Sequence, residues 1–422
     1  MAVSLTACAS SSANRVRISE GHVPTQFADD DARYREESLR MVQELQTQGA
    51  VWDDPWFQDE GVSLIRQIVP EDLQGKHQGI QFRLVKAPSV NAFTVYSGDI
   101  FFHTGLISRL THPDQLAFVA AHEISHWENR DVLYFMRSYR SKTVAAQILD
   151  LALVPVDALV TGGLSNLTLN LVYGASVTGY GREQESRSDQ EALLALEDAG
   201  YDLSRSTETF HIFMQEHEKY DQGRQSASFL LSHPSNERRV QDITAQLAEQ
   251  GIEPSEAISF DESFVRDTRH IRLENAALNI GQGRSFHALD DLQVLFRINP
   301  KDPQALYQRG EAYRVAANNF KRAKGELSKK HWKELFEGRA EEEIVNEWRR
   351  SARAAFEESI DGAPFYAEPH KGLGLLLADQ ASGEPEARLA KEELQKYLDM
   401  MPDARDRRFV ASRIRTLEET DE

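Results

Sequence analysis

Two histidines that lie four positions apart, His122 and His126, enclose a glutamate, Glu123, in the run His-Glu-Ile-Ser-His. Residues i and i+4 of an α-helix share one face, so both imidazoles can bind the same metal ion. Zinc binds histidine nitrogens at about 2.0–2.1 Å. Glu123 is offset around the helix, where it can reach a water on the zinc without binding the metal itself. This spacing is the sequence signature of a zinc protease.

A catalytic zinc needs a third protein ligand, and Glu185 is the candidate for it. Glu185 and Asp189 repeat the i, i+4 spacing in the run Glu-Ser-Arg-Ser-Asp. Glu185 can therefore complete a site of two histidines and one glutamate. Asp189 can accept the free ring N–H of a zinc-bound histidine, with His122 as the expected partner. The alternative is that both carboxylates lie on a solvated helix face, because the chain has 67 acidic and 48 basic residues.

Hydrophobic periodicity predicts the elements that must position these residues. Residues 79–87 alternate apolar and polar side chains, which predicts a half-buried strand. Residues 91–102 form a second β-like segment, interrupted by a Ser-Gly turn signal. Residues 111–114 combine Thr111 with an early proline and an aspartate, which predicts a helix start capped by the threonine hydroxyl. That helix would continue through the histidine pair.

In order and spacing, these segments resemble the gluzincin metallopeptidases of family forty-eight, the HtpX/BepA type, over about residues 34–250. The shared features are an Asn-Ala-Phe entry, a strand followed by Gly-Leu, the HExxH helix, an E-x-E-A-D helix, an Ala-Gly-Tyr-Asp turn and a His-Pro…Arg element. They correspond to residues 91–93, 98–106, 121–126, 185–189, 199–202 and 232–239. Two positions depart from the family pattern without removing a ligand. Arg187 and Ser188 replace Glu and Ala, and Asp131 replaces a frequent histidine.

The resemblance implies a mostly helical α+β fold, with a zincin-type peptidase domain that contains a small β-sheet. It implies one Zn²⁺ held by His122, His126 and Glu185. Glu123 would take a proton from the zinc-activated water and pass it to the leaving amine, while the metal polarises the scissile carbonyl. An extended substrate would add to the strand at residues 99–103, which we expect to be an exposed edge. Unfolded or misassembled chains are the expected substrates.

His233 and Arg239 are the ambiguous residues of this site. His233 could occupy the open fourth position of the zinc and keep the enzyme latent, or it could contact the oxyanion alongside Arg239. It could also be a structural residue at a helix start, with Pro234 early in that helix. The sequence leaves these three alternatives open.

The C-terminal region has the spacing of tetratricopeptide repeats, about 34 residues for each helix pair. Small, apolar and proline residues recur at matching positions of three units, at Ala288, Leu292, Leu295 and Pro300, at Ala352, Phe356, Ser359 and Pro364, and at Ala390, Leu394, Tyr397 and Pro402. The proline spacing predicts an insertion near residues 318–347, and residues 405–419 are typical of a final capping helix. We expect this all-α region to bind a protein partner, either substrate or an assembly machine.

The N-terminal residues resemble part of a bacterial lipoprotein signal. A Leu-Thr-Ala-Cys run ends at Cys8, but only seven residues precede this cysteine and none is basic. A lipid on Cys8 would hold the protein at a membrane surface in the bacterial periplasm, with the outer membrane favoured. The alternative is a disordered N-terminus with an incidental cysteine. Because Cys8 is the single cysteine, an intrachain disulfide and a cysteine-rich zinc site are excluded.

Charge and hydropathy exclude two further classes of protein. The net charge of −19 argues against a general nucleic-acid binder, which needs a basic surface. Residues 143–181 contain no lysine or arginine, but Asp150 and Asp157 interrupt them, so we expect no membrane-spanning helix there. This segment would cover the cleft, form a membrane-facing hairpin or belong to the core.

These features divide the chain into a signal remnant with a polar tether at residues 1–32, a zinc metallopeptidase domain at residues 33–268 and a repeat domain at residues 269–422. The leading prediction is a zinc endopeptidase that cleaves unfolded or misassembled envelope proteins. The alternative is a latent peptidase that acts mainly as a chaperone or adaptor through its repeats. Glu123 favours the first prediction, because a scaffold has no structural need for this residue.

Overall fold

A computed structural model describes residues 16–21, 23, 25–69, 80–141, 180–220, 233, 236–255, 257–380 and 384–419. The predicted lipidation site Cys8 and most of the basic-free segment at residues 143–181 lie outside these residues. Within them, no helix is both long enough and apolar enough to cross a membrane. The predicted fold class is confirmed, because the described chain is mostly helical and contains a small four-stranded sheet.

The strands of this sheet are β1 (Val51–Trp52), β2 (Gln81–Val85), β3 (Ala92–Thr94) and β4 (Asp99–His103), in the spatial order β1-β2-β4-β3. β2 runs parallel to β4, whereas β1 and β3 pair antiparallel with their neighbours. The predicted strand at residues 79–87 is present as β2, and residues 91–102 form the β3–β4 hairpin. Gly98 lies in the hairpin turn with a φ of 101°, a conformation that favours glycine.

The expectation that residues 99–103 form an exposed edge is wrong. β4 lies between β2 and β3, and all of its residues are buried. The large apolar residues Ile100, Phe101 and Phe102 follow one another on opposite faces of the sheet, which suits a central strand. The local pattern did not reveal that β2, which precedes the β3–β4 hairpin, pairs with the other side of β4. Within the described chain, β3 is the edge strand on this side of the sheet.

Nine helices of the described chain belong to the N-terminal region. They are α1 (Ala28–Thr47), α2 (Val62–Arg66), α3 (Thr104–Arg109), α4 (Pro113–Glu128), α5 (Asp131–Ser141), α6 (Arg182–Asp198), α7 (Glu208–Lys219), α8 (Asn236–Glu249) and α9 (Glu262–Asp267). Short 3₁₀ or π segments occur at Thr25–Phe27, Phe57–Gly61 and Leu203–Arg205. α4 packs against α6 on one side and against β3 on another.

Helix α4 begins at Pro113, but its cap is His112 and not the predicted Thr111. The Nδ1 atom of His112 accepts a hydrogen bond from the backbone N–H of Asp114 at 3.2 Å. The Thr111 hydroxyl instead donates to the carbonyl oxygen of Ser259 at 2.6 Å. The cap prediction was wrong because a contact from far along the chain engages the hydroxyl.

Nine further helices of the described chain form the C-terminal region. They are α10 (Arg269–Gly281), α11 (Ser285–Phe296), α12 (Pro303–Asn318), α13 (Phe320–Glu326), α14 (Lys329–Phe336), α15 (Glu341–Gly362), α16 (Glu368–Gln380), α17 (Glu384–Met400) and α18 (Arg407–Glu419). α10 packs on α11, α12 on α15, and α16 on α17, while α13 and α14 fall within the expected insertion at residues 318–347. A Cβ atom on Gly310 would lie 2.5 Å from the ring of Phe356, so α12 and α15 approach closely at this glycine. The assignment of these pairs as tetratricopeptide repeats stays a prediction.

The N-terminal and C-terminal regions share one hydrophobic core. Arg272, on α10, is fully buried and donates hydrogen bonds to the carbonyl oxygens of Ser108 and Leu110, both at 2.6 Å. Arg109 forms an ion pair with Asp291 on α11. Because Ser108 and Leu110 lie at the end of α3, just before α4, the first C-terminal helix holds the chain that leads into the helix of the histidine pair.

Candidate metal centre

The side chains of His122, His126 and Glu185 converge because α4 packs against α6. The Nε2 atoms of the two histidines are 3.0 Å apart, and each lies 3.5 Å from a carboxylate oxygen of Glu185. Ligand atoms at the usual distances from a tetrahedral zinc are roughly 3.3 Å from one another. The three side chains therefore have the separation that a single zinc ion requires.

His233 is the fourth member of this cluster. Its ligand atoms and those of His122, His126 and Glu185 all lie within 4.8 Å of one another, and the four residues are buried. The Nδ1 atom of His233 is 3.1 Å from Nε2 of His122 and 3.1 Å from both oxygens of Glu185. Its Nε2 atom lies 3.3 Å from Oε1 of Glu123. The ring is thus placed where a fourth metal ligand would lie.

Asp189 lies behind His122, on the side of the ring away from the cluster. Its Oδ1 atom is 3.0 Å from Nδ1 of His122. Arg239 donates two hydrogen bonds to the Asp189 carboxylate, at 2.6 and 2.7 Å, and its Nη1 atom lies 2.9 Å from a carboxylate oxygen of Glu185. The guanidinium of Arg239 therefore positions both a candidate ligand and the residue that orients another.

Asp131 occupies the equivalent place behind His126, and sequence reasoning missed this role. Its Oδ2 atom lies 2.8 Å from Nδ1 of His126, and Arg187 donates to the same oxygen at 2.5 Å. Gln184 donates to the second oxygen of Asp131 at 2.7 Å. Each imidazole is thus supported by an aspartate that is itself held by an arginine. A carboxylate behind a metal-binding histidine fixes the tautomer and orientation of the ring.

Arg130 turns the chain between α4 and α5 so that Asp131 faces back toward His126. Its φ is 53°, in the left-handed region that residues other than glycine rarely adopt. The Arg130 side chain donates hydrogen bonds to the carbonyl oxygens of Val16 at 3.1 Å and Gly21 at 2.6 Å, which hold the turn in place. The signal in the sequence was an acidic residue three positions after the end of α4, the helix that carries the metal motif.

The charges of the centre match a divalent cation. Burial by itself would raise the pKa of Glu185, but the three surrounding imidazoles outweigh it and hold that pKa well below its usual range. Burial would also raise the pKa of Asp189, and the guanidinium of Arg239 lowers it instead. With neutral imidazoles, the net charge of the centre is −2. Four carboxylates and two guanidinium groups contribute to it, those of Glu123, Asp131, Glu185 and Asp189 and those of Arg187 and Arg239. Nitrogen and carboxylate donors with this charge fit Zn²⁺.

Glu123 is fully buried beside the ligand cluster. Burial would raise its pKa, but the contact with His233 and the charges of the other two imidazoles lower it below the usual value. Within the described chain, neither carboxylate oxygen accepts a hydrogen bond of good geometry. Glu123 is therefore an ionised acceptor, as a general base for water must be.

Tyr180 is a second residue of the centre that sequence reasoning missed. It lies two residues before the start of α6, and its ring stacks on the imidazole of His126, with centroids 3.8 Å apart and planes inclined by 21°. In the sequence, Tyr180 is distinguished only as a member of the basic-free segment at residues 143–181. The stacked ring limits the orientations that His126 can adopt.

We expect Asp131→Asn to weaken zinc binding by about 10- to 100-fold, because an amide cannot orient His126 and bind Arg187 as the carboxylate does. Competition with a chromogenic chelator measures the zinc dissociation constant. Asp198→Asn, at the far end of α6, is the matched control and should bind zinc like the wild type. An unchanged dissociation constant in Asp131→Asn would show that Asp131 does not position His126.

Comparison with known proteins gives one family and several relatives. Residues 53–247 match peptidase family M48. The putative beta-barrel assembly-enhancing protease of Vibrio cholerae is 26% identical over 219 residues, which is 51% of this chain and 43% of that protein. The beta-barrel assembly-enhancing protease of Escherichia coli is 24% identical over 203 residues, which is 47% of this chain and 40% of that protein. The metalloprotease LoiP of Escherichia coli is 23% identical over 252 residues, which is 60% of this chain and 95% of that protein. The chain spans less than half the length of the two assembly-enhancing proteases.

Proposed function

We propose that this chain, whose residues 53–247 belong to peptidase family M48, is a zinc-dependent endopeptidase of the bacterial envelope. The observation that carries the proposal is the convergence of His122, His126 and Glu185, with ligand atoms 3.0–3.5 Å apart, beside the buried carboxylate of Glu123. The donor set and the charge of this centre support one Zn²⁺ per chain.

Each residue of the centre has a role in this proposal. His122, His126 and Glu185 hold the zinc, which when bound makes water a stronger acid and polarises the scissile carbonyl. Glu123 accepts a proton from the attacking water and delivers it to the leaving amine nitrogen. Asp189 and Asp131 orient the two imidazoles toward the cluster.

We propose that the substrates are unfolded or misassembled envelope proteins. Two relatives are named for the assembly of β-barrels, which supports an envelope role. The peptidase domain would extend over residues 33–268.

The C-terminal region at residues 269–422 would act as a repeat domain that recruits substrate or docks to an assembly machine. Its three packed helix pairs support a surface for a protein partner. A lipid on Cys8 would tether the protein to a membrane in the periplasm, with the outer membrane favoured.

Zinc analysis and a cleavage assay on the purified protein test the enzymatic proposal together. We expect about one zinc per chain. Cleavage of casein should stop when ortho-phenanthroline removes the zinc and return when zinc is added back. Cleavage that survives complete removal of zinc would contradict the proposal. A zinc-loaded protein that leaves casein intact, both as wild type and as His233→Ala, would favour the adaptor alternative.

We also propose that His233 keeps the enzyme latent. Its Nδ1 atom lies 3.1 Å from the nearest ligand atoms and its Nε2 atom 3.3 Å from Glu123. All of these side chains are buried. A ring in this place occupies the position that a catalytic zinc keeps open for water or substrate.

His233→Ala should therefore raise the rate of casein cleavage by about tenfold or more, because a larger fraction of molecules has an open site. His211→Ala, which removes a partly exposed histidine of α7, is the control and should leave the rate unchanged. A fall in rate would assign His233 to catalysis, for example at the oxyanion. An unchanged cleavage rate in His233→Ala would indicate that His233 has only a structural role.

A further inference from the structure

We propose that Tyr180 is a catalytic residue of this peptidase, through a hydroxyl that donates a hydrogen bond to the oxyanion formed at the scissile carbonyl. The inference rests on the proposed function and adds a residue to its site. It is carried by the position of Tyr180 against a candidate zinc ligand and by the buried Tyr180 hydroxyl, which has no hydrogen-bond partner among the described residues.

The Tyr180 ring is fixed at the edge of the metal cluster. It stacks on His126 with centroids 3.8 Å apart, and its centroid lies 5.8 Å from that of His233. The residue is 4% exposed, so bulk water does not solvate the side chain. The first turn of α6, which begins two residues after Tyr180, carries Glu185. Tyr180 therefore contacts one candidate ligand, His126, and precedes another by five residues in the chain.

The buried hydroxyl oxygen of Tyr180 has no hydrogen-bond partner among the described residues. Of the two carboxylate oxygens of Glu123, Oε1 lies 3.3 Å from Nε2 of His233, and Oε2 has no hydrogen-bond partner among those residues. Buried polar groups are almost always paired, so we expect these atoms to bind other groups in the working enzyme. The carboxylate can only accept a hydrogen bond, and the hydroxyl can donate one. Hydrolysis supplies both partners, a water that donates and a carbonyl oxygen that becomes a stronger acceptor.

A tyrosine hydroxyl can donate a hydrogen bond while it keeps its own proton. A fixed donor in a site that excludes water is well suited to stabilise negative charge that develops in a transition state.

The two donors considered from the sequence are engaged elsewhere. Arg239 makes two hydrogen bonds to Asp189 and contacts Glu185 at 2.9 Å. His233 lies 3.1 Å from Glu185 through its Nδ1 atom. Tyr180 also contacts a candidate ligand, but within the described chain its hydroxyl makes no hydrogen bond to a carboxylate. It is thus available as a donor.

The proposed step conserves atoms and electrons. Glu123 removes a proton from water, the water oxygen bonds to the carbonyl carbon, and the π electrons move onto the carbonyl oxygen. Tyr180 donates a hydrogen bond to this oxygen and keeps its own proton. When the carbonyl forms again, the C–N bond breaks, its electrons pass to nitrogen, and Glu123 delivers the proton there. Peptide and water become an acid and an amine.

Tyr180→Phe tests the hydroxyl alone, because phenylalanine keeps the ring against His126. We expect kcat for casein cleavage to fall about 100-fold, while KM and the zinc dissociation constant stay within about twofold of wild type. Tyr180→Leu is the matched variant that loses the ring as well, and it should also bind zinc more weakly. The measurements are made in the wild-type and His233→Ala backgrounds. A Tyr180→Phe enzyme with the kcat of its parent would overturn the proposal.

A phosphinic peptide supplies a second measurement that needs no turnover, because its tetrahedral phosphorus and anionic oxygen resemble the oxyanion. Tyr180→Phe should weaken its inhibition constant about 100-fold, with unchanged affinity for the product peptides. Equal inhibition of Tyr180→Phe and its parent would overturn the role of Tyr180. If neither the zinc-loaded wild type nor His233→Ala cleaved casein, the proposed peptidase function itself would fail, so the two failures are distinguishable.

Discussion

Replacing Glu123 by glutamine should lower kcat for casein cleavage about 1,000-fold, which lies within the range for loss of a general base. Glutamine has the same size as glutamate but cannot accept the proton of the attacking water. The carboxylate of Glu123 is buried, and its pKa is held below the usual value, so the wild-type base is ionised at neutral pH. Because Glu123 lies beside the ligand cluster and not within it, the zinc content should stay near one per chain.

Steady-state kinetics and zinc analysis of the same preparations measure this effect. Glu183→Gln is the matched control, since Glu183 is an exposed carboxylate in the first turn of α6. It should retain the wild-type kcat. If Glu123→Gln lost its zinc together with its activity, Glu123 would be a metal ligand. If it kept full activity, Glu123 would have no part in the chemistry.

Glu185→Gln should weaken zinc binding by more than about 100-fold, beyond the effect of removing a residue that only orients a ligand. A neutral amide is a poor zinc ligand, and the change also removes one of the negative charges that balance the cation. The loss is amplified because Arg239, now facing an amide at the Glu185 position, keeps its positive charge in a buried site. Chelator competition gives the dissociation constant.

Glu197→Gln is the control for this substitution and should bind zinc normally. Glu197 lies near the end of α6, about three helical turns beyond Glu185. Thermal unfolding of both variants shows whether the fold is kept. A folded Glu185→Gln protein that binds zinc like the wild type would remove Glu185 from the ligand set and would leave His233 as the third ligand.

The parts of the site that could be predicted from the sequence depend on helical periodicity. His122 and His126, like Glu185 and Asp189, are four residues apart, and that spacing alone places each pair on one helix face. The histidines meet Glu185 only because α4 packs against α6. Helical spacing does not predict this packing, and the family resemblance suggested it.

Asp131 and Tyr180 could not be predicted because their positions depend on backbone turns and on packing. Asp131 reaches His126 only because Arg130 adopts a left-handed conformation, which no periodic pattern encodes. Tyr180 contacts His126 by stacking between residues that are 54 positions apart, from 126 to 180. A single aromatic residue before a helix has no distinctive spacing, so it resembles an ordinary core residue in the sequence.

The order of the strands shows a similar limit. Alternation within residues 79–87 and 91–102 predicted strands, and β2, β3 and β4 form there. Which strand lies at the edge depends on the parallel pairing of β2 with β4, which passes over the intervening strand β3 and is not encoded in the alternation of either segment. The edge was therefore assigned to β4, whereas β3 is the edge strand of the described sheet and its residues are also buried.

The buried contact of Arg272 with Ser108 and Leu110 bears on how deletion experiments should be designed. A truncated protein that ends before residue 269 would leave both carbonyl oxygens without their donor and would expose the apolar residues that α10 covers on α3. Loss of cleavage in such a fragment would then report damage to the scaffold beneath α4 and not the absence of substrate recruitment. Point substitutions on exposed surfaces of α16–α18, far from Arg272 in sequence, separate recruitment from folding.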